Sequence, residues 1–200
     1  MPLTPARAAL VRLSAAIAAG AGGETTARAR EALEAGLSPE RVYEAVLQSY
    51  LFLGFPRAIE AFFAVAPLLA ERGWKPGAPA AADPARWRRD GEELCRRVYG
   101  RNYEKLVSVM RDLSPDLAES MIVEGYGKTL SRPGLDAADR EVAVVAILTV
   151  ARMWRQLRSH AIGTVNVGGT RSDVKDAIQL CEPWCGEAGV REALSVAGLA

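Results

Sequence analysis

The residue best suited to chemistry in this sequence is His160, the only histidine among its 200 residues. An imidazole gains and loses a proton near neutral pH, so it can act as a general acid or a general base. Gln156 precedes it by one helical turn and would share a helix face with it. An amide cannot transfer a proton, but it can orient a substrate carbonyl or the imidazole. The alternative is a histidine that is only hydrogen-bonded in the core or at an interface.

Three helices are predicted around this histidine. The breaker sequence SRPGLD, which starts at Ser131, is followed by aspartates that can cap a helix and by an apolar run from Val142 to Val150. A helix that is apolar on every side is normally buried, and this run is shorter than the roughly 20 residues that a bilayer requires. The next helix carries His160 and ends at the NVGG sequence that closes with Gly169, after which a third helix begins.

A weak internal repeat relates the two ends of the chain. One constant shift aligns two glycine pairs, Gly36 with Gly168 and Gly54 with Gly186. The copies of a duplicated helical unit can bury their apolar faces against each other. The copies differ where chemistry would occur, because Arg28 aligns with His160. We therefore predict an all-α protein of two related helical repeats.

Composition argues against several classes of function. The 25 basic and 24 acidic side chains give a net charge of +1, so neither a basic face nor a nucleic-acid partner is predicted. Cys95, Cys181 and Cys185 are too few for a disulfide scaffold, and with one histidine they do not complete a zinc set. Tyr126 is interpreted as a core or interface residue. Because no cationic and then apolar leader opens the sequence, we expect a cytoplasmic protein without a signal peptide or membrane span.

The stretch from about residue 87 to 180 resembles the carboxymuconolactone decarboxylase family, which is related to the alkyl hydroperoxidase D-like proteins. The resemblance is carried by SRPGLD, by an Arg-Glu pair that opens an apolar helix, and by QLRSH leading into NVGG. It implies an alkyl hydroperoxidase D-like helical bundle. Residues 1–72 would form a degenerate N-terminal repeat, residues 73–86 a linker rich in Pro, Ala and Gly, and residues 87–200 the family domain.

The resemblance also implies a site. It places a functional histidine at His160 and its partner at Glu141, with the same separation along the chain as in the hydroperoxidase motif. Met153 and Gln156 stand where that motif has its two redox cysteines, so disulfide-cycle peroxidase chemistry is not expected. The decarboxylase branch usually has Glu where this chain has Gln156. A straight helix joining Glu141 to His160 would span about 28 Å, so contact within the pair requires helix crossing or a neighbouring subunit.

The implied function is decarboxylation or proton transfer on a small carboxylated lactone or related acid, without a cofactor or metal. His160 would transfer the proton with Glu141 as its partner. Gln156, Arg132 and Arg158 would bind the substrate, since a guanidinium pairs bidentately with a carboxylate. Family members form trimers or hexamers, so a homo-oligomer with sites near subunit contacts is expected. The alternatives are a hydroperoxidase D-like antioxidant protein and a non-catalytic small-molecule-binding or assembly protein.

Overall fold

The structure is a computed structural model that describes residues 2–20, 22–79 and 81–200, and every regular element in these ranges is helical. The first repeat consists of α1 (Pro5–Ala19), α2 (Gly22–Glu34), α3 (Pro39–Gln48) and α4 (Tyr50–Glu71). The next segment contains α5 (Pro84–Tyr99), a 3₁₀ turn (Gly100–Asn102), α6 (Tyr103–Leu113), α7 (Pro115–Ser120) and a π-helix (Met121–Leu130). The second repeat consists of α8 (Ala137–Val150), α9 (Trp154–Asn166), α10 (Arg171–Leu180) and α11 (Glu182–Val196).

Side-chain caps fix where the helices around the site begin. Asp136 accepts a hydrogen bond from the backbone N–H of Asp139 at the start of α8. Thr170 and Asp173 form a reciprocal capping box at the start of α10. Pro183 lies in the first turn of α11, where a missing N–H costs no helical hydrogen bond.

The two repeats share one pattern of helices at the predicted shift. The starts of α2, α3 and α4 precede those of α9, α10 and α11 by one constant interval, which is also the interval between Gly36 and Gly168. The backbone repeats as well, because the fourth helix of each copy is broken at a glycine in the left-handed region. Gly54 has φ 77° and ψ 167°, and Gly186 has φ 71° and ψ 166°. The prediction of an all-α protein with two related repeats is confirmed.

The corresponding helices α1 and α8 pack against each other at the centre of the molecule. Val11 and Ala15 of the first repeat lie in the apolar cluster formed by the second, and Leu135 and Ala143 lie in the cluster formed by the first. All of α8 from residue 138 to 149 is buried, as its all-round apolar sequence predicted. The repeats therefore share a continuous interior. The boundaries at residues 72 and 86 stay predictions, although the described residues between Gly73 and Asp83 contain no helix.

Helix α5 and the π-helix approach each other unusually closely. A Cβ atom at Gly91 would lie 2.1 Å from the carbonyl oxygen of Ile122, and one at Gly127 would lie 1.9 Å from that of Trp87. Only glycine leaves room for this contact. The close approach fixes the π-helix against α5, and α5 in turn packs against α9, where Tyr99 lies beside His160.

Helix α4 is only partly covered. Its side chains of Phe55, Ile59 and Phe63 are 65%, 49% and 73% exposed. By length and hydropathy alone, α4 is a helix that could cross a bilayer, but Gly54 interrupts its helical geometry. A run of exposed apolar side chains along one face is typical of a surface that is covered by another molecule.

Candidate active site

Glu141 and His160 meet within one chain. Nδ1 of His160 lies 2.8 Å from Oε2 of Glu141, and the two side chains are 5% and 4% exposed. The turn between α8 and α9 is short, and Arg152 within it has a positive φ of 55°. Because the two helices fold back on each other there, Glu141 in the first turns of α8 reaches the middle of α9. The contact does not require a neighbouring subunit.

Gly163 makes the space in which the carboxylate of Glu141 lies. It is one turn after His160 on α9, and a Cβ atom there would lie 2.9 Å from Oε2 of Glu141 and 2.7 Å from Cγ1 of Val98. Any larger residue would compete with the carboxylate for this position. The glycine that the sequence places after QLRSH thus has a packing role in the site.

Aromatic rings from two other elements hold the imidazole. The ring of Phe52 from α4 lies edge-on at 5.5 Å, and that of Tyr99 from α5 lies at 6.4 Å with an interplanar angle of 68°. With Nδ1 engaged by Glu141, Nε2 is the nitrogen available to a molecule in the adjoining cavity. The first repeat reproduces the arrangement with other residues, because Trp184, which matches Phe52, lies over the guanidinium of Arg28 at 5.8 Å.

His160 lines a cavity of about 440 Å³ that is bounded by α4 of the first repeat, by the middle segment and by the second repeat. Most of its wall is apolar. The side chains that can hydrogen-bond into it are Tyr50, Tyr99, Ser120, Glu124, Tyr126, Gln156 and His160. Neither arginine nor lysine is among the described residues of the wall. The cavity is therefore an apolar space for a small molecule, with a few polar groups that could orient it.

Two tyrosines line this cavity, Tyr126 buried and Tyr99 partly buried, and a hydrogen bond joins their hydroxyl groups. Burial raises the pKa of Tyr99 to about 12, and the negative charge of Glu141 acts in the same direction. Burial also raises the pKa of Tyr126 well above its ordinary value. Both phenols thus stay protonated at neutral pH. Sequence reasoning did not select Tyr99 and interpreted Tyr126 as a core residue, since an aromatic residue in a helix carries no local sign that it borders a cavity.

Comparison with known proteins agrees with this architecture. The sequence model described as the carboxymuconolactone decarboxylase family matches residues 2–67 and 115–198, which is well over half of the chain. The chain belongs to the carboxymuconolactone decarboxylase family. The match includes both repeats and the Glu141–His160 pair. It leaves out residues 68–114, and so does not include Tyr99.

Three relatives of this family member have sequence identities near 25%. Nitrosuccinic acid decarboxylase of Metarhizium robertsii is 26% identical over 54% of this chain and 76% of its own length. Peroxisomal protein 2 of Schizosaccharomyces pombe is 25% identical over 76% of this chain and 71% of its own. The 4-carboxymuconolactone decarboxylase of Acinetobacter baylyi is 25% identical over 54% of this chain and 82% of its own. Two of the three are thus named as decarboxylases.

Of the predicted substrate-binding residues, the structure brings only Gln156 to the cavity. Arg158 is exposed and is not part of the wall. Arg132 lies in a different cavity, where its Nε and Nη2 donate to Oε1 of Glu44 at 2.9 and 2.8 Å. Neither arginine is part of the proposed site. Arg158 is exposed to solvent, and Arg132 already neutralises the buried carboxylate of Glu44.

Arg140 explains why Glu44 is buried. Its guanidinium, only 2% exposed, donates to Glu44, to Gln48 and to the carbonyl oxygens of Arg132 and Leu135. A buried charge needs such partners for nearly every donor. This cluster joins α3 to α8 and belongs to the interior rather than to the site of this family member.

The positions of the redox cysteines in the hydroperoxidase motif are occupied here by Met153 and Gln156, and both line the cavity. The cysteines that the chain does have are buried, and burial raises the pKa of Cys95 to about 12 and that of Cys181 further. A thiol with so high a pKa is a poor nucleophile at neutral pH. Within the described residues, no group of three His, Cys, Asp or Glu side chains is arranged to hold a metal ion.

Proposed function

We propose that this protein is a decarboxylase-like enzyme in which His160 transfers a proton to a small acid held in the cavity. The observation that carries the proposal is the buried 2.8 Å contact between His160 and Glu141 on the wall of a largely apolar cavity. Membership of the family and the decarboxylase names of two relatives support this class of reaction.

The proposed step begins when the bond between the substrate and its carboxylate breaks and CO₂ leaves. The electron pair of that bond passes into a conjugated carbonyl group and forms an enolate. Protonated Nε2 of His160 delivers its proton to carbon, and a C–H bond forms. The imidazole then takes up a proton from solvent, so one turnover consumes one proton and releases one CO₂. Glu141 accepts the hydrogen bond from Nδ1–H and fixes the orientation of the ring.

The test is turnover of 4-carboxymuconolactone and a panel of other small conjugated acids, followed by ultraviolet absorbance and CO₂ release. We expect His160→Ala to lower kcat by about 10²- to 10⁴-fold, the usual contribution of a positioned acid or base. Glu141→Gln should lower it less, because the amide oxygen can still accept from Nδ1–H. Arg158→Gln is the matched control and should leave turnover unchanged.

Each outcome separates the alternatives. Turnover by the wild type that survives His160→Ala would refute the proposed role of the histidine. Binding of the acids without turnover by any protein would favour a non-catalytic binding function. The role of Gln156 is tested in parallel, since Gln156→Ala should raise KM more than it lowers kcat if the amide orients the substrate.

We also propose that the protein is a homo-oligomer. The exposed apolar face of α4, with Phe55, Ile59 and Phe63, supports this proposal because a second copy would remove it from water. Light scattering of the purified chain, with and without Phe63→Glu, measures the mass directly. A monomeric wild-type protein would contradict the proposal.

A further inference from the structure

The charges around the cavity restrict what it can bind. Apart from His160 and the tyrosines, Glu124 is its only ionisable lining residue within the described chain. Oε1 of Glu124 lies 3.4 Å from both the hydroxyl of Tyr50 and Nζ of Lys128, but the lysine itself lines the neighbouring cavity. A carboxylate that remained on the ligand throughout the reaction would thus lie in an apolar space without a cationic partner other than the imidazole. Burying an unpaired charge in this way is strongly unfavourable.

The hydrogen-bond donors of the cavity suit a neutral oxygen better. The rings of Tyr99 and Tyr126 lie edge-to-face at 6.2 Å with an interplanar angle of 75°, and both residues line the wall. The ring of Tyr99 is also 6.4 Å from that of His160, so the phenol and the imidazole border the same space. A carbonyl oxygen beside the phenol would place the neighbouring carbons of a small ring beside Nε2. Tyr99 lies on α5, outside the part of the chain that matches the family.

We propose that the substrate is a planar conjugated carbonyl compound with a single carboxylate, the one that is lost, and that Tyr99 donates a hydrogen bond to its carbonyl oxygen. This proposal rests on the proposed function. The bond strengthens as the carbonyl becomes an enolate, because charge develops on the oxygen that the phenol contacts. The apolar space destabilises the carboxylate that leaves. A second carboxylate would remain on the ligand and would weaken its binding throughout the reaction.

Three lactones with the same ring test the charge restriction. The methyl ester of muconolactone carries no carboxylate, muconolactone carries one and 4-carboxymuconolactone carries two. Isothermal titration calorimetry at neutral pH would measure the binding of each. We expect the dicarboxylate to bind at least about tenfold more weakly than the monocarboxylate, since its second carboxylate has no cationic partner and opposes burial. Equal or tighter binding of the dicarboxylate would overturn the proposal, as would failure of all three to bind.

The variant Tyr99→Phe tests the hydrogen bond. It should weaken the ester and the monocarboxylate about fivefold, which is the usual net worth of one neutral hydrogen bond. Tyr103→Phe is the matched control, because Tyr103 is buried in α6 and does not line this cavity. Unchanged binding by Tyr99→Phe would refute the role of the phenol.

These measurements do not depend on turnover, so they separate this proposal from the proposed function. The predicted order of binding together with full turnover by His160→Ala would refute proton transfer and keep the ligand class. Tighter binding of the dicarboxylate than of the monocarboxylate, together with inactivity of His160→Ala, would refute the ligand class and keep proton transfer by His160.

Discussion

Replacement of Gly163 by alanine should disturb the site through packing alone. The new Cβ atom would lie 2.7 Å from Cγ1 of Val98 and 2.9 Å from Oε2 of Glu141, whereas ordinary contacts begin near 3.4 Å. Val98 is a short, buried, branched side chain and cannot move far. The carboxylate of Glu141 must therefore give way, and it leaves the imidazole of His160 as it does so.

Two opposing effects set the expected loss of stability. Overpacking of a well-filled interior costs roughly 1–3 kcal/mol. Alanine has a higher helix propensity than glycine, which offsets up to about 1 kcal/mol. The matched control is Gly23→Ala in α2, where nothing lies within 4 Å of the new Cβ atom and only the propensity term applies. Gly163→Ala should therefore be less stable than Gly23→Ala by roughly 1–3 kcal/mol.

Urea denaturation measures the stability, and NMR of the imidazole reports the contact. Because the chain has a single histidine, its ¹⁵N signals are assigned without further work. We expect the Nδ1 signal of Gly163→Ala to lose the signature of a hydrogen bond and turnover to fall at least about tenfold, as when catalytic groups are misplaced by an ångström. The reasoning would be refuted if Gly163→Ala matched Gly23→Ala in stability and the wild type in its imidazole signals.

Two further predictions concern charge. Arg140→Met should lower the free energy of unfolding by roughly 3 kcal/mol, near the lower end for a broken buried ion pair because Arg132 still contacts Glu44. Arg132→Met should lower the free energy of unfolding by less, since Arg132 is 37% exposed and Arg140 remains paired with Glu44. Equal losses for the two variants in urea denaturation would contradict this prediction. The pKa of Tyr99 is raised from 10 to about 12 on folding, so its contribution to stability is complete below pH 10 and is lost as the pH rises to 12. The free energy of unfolding of Tyr99→Phe should therefore fall less between pH 9 and pH 12 than that of the wild type. The same pH dependence in both proteins would contradict this prediction.

Local features of the sequence were sufficient to predict the helical fold and its repeat. Breakers, caps and apolar periodicity act over a few residues, and one constant shift along the chain preserves them in both copies. The match extends to backbone angles, because Gly54 and Gly186 occupy the same left-handed conformation. These sequence patterns lie in the same segments whose secondary structure they determine.

The geometry of the site depends on contacts between residues that are far apart in the chain, and no local pattern of the sequence predicts these contacts. The spacing of Glu141 and His160 fixes neither the angle at which α8 and α9 cross nor which side chains then meet. Arg132 was selected because it lies in a family motif, but its partner Glu44 is 88 residues away, in the first repeat. Tyr99 reaches the cavity because α5 is pressed onto the π-helix, which only the folded backbone shows.

The paired contacts of Phe52 with His160 and of Trp184 with Arg28 have a genetic consequence. If two identical single-repeat chains formed this arrangement, one codon would specify the residue that lies beneath the aromatic ring in both of them. Any substitution would then appear in both halves of the dimer at once. A duplicated chain has two codons for these positions. One half can then evolve an ionic cluster around Arg28, which pairs with Glu31, while the other keeps the imidazole. A chain with two repeats can thus carry different side chains at matched positions of its two halves.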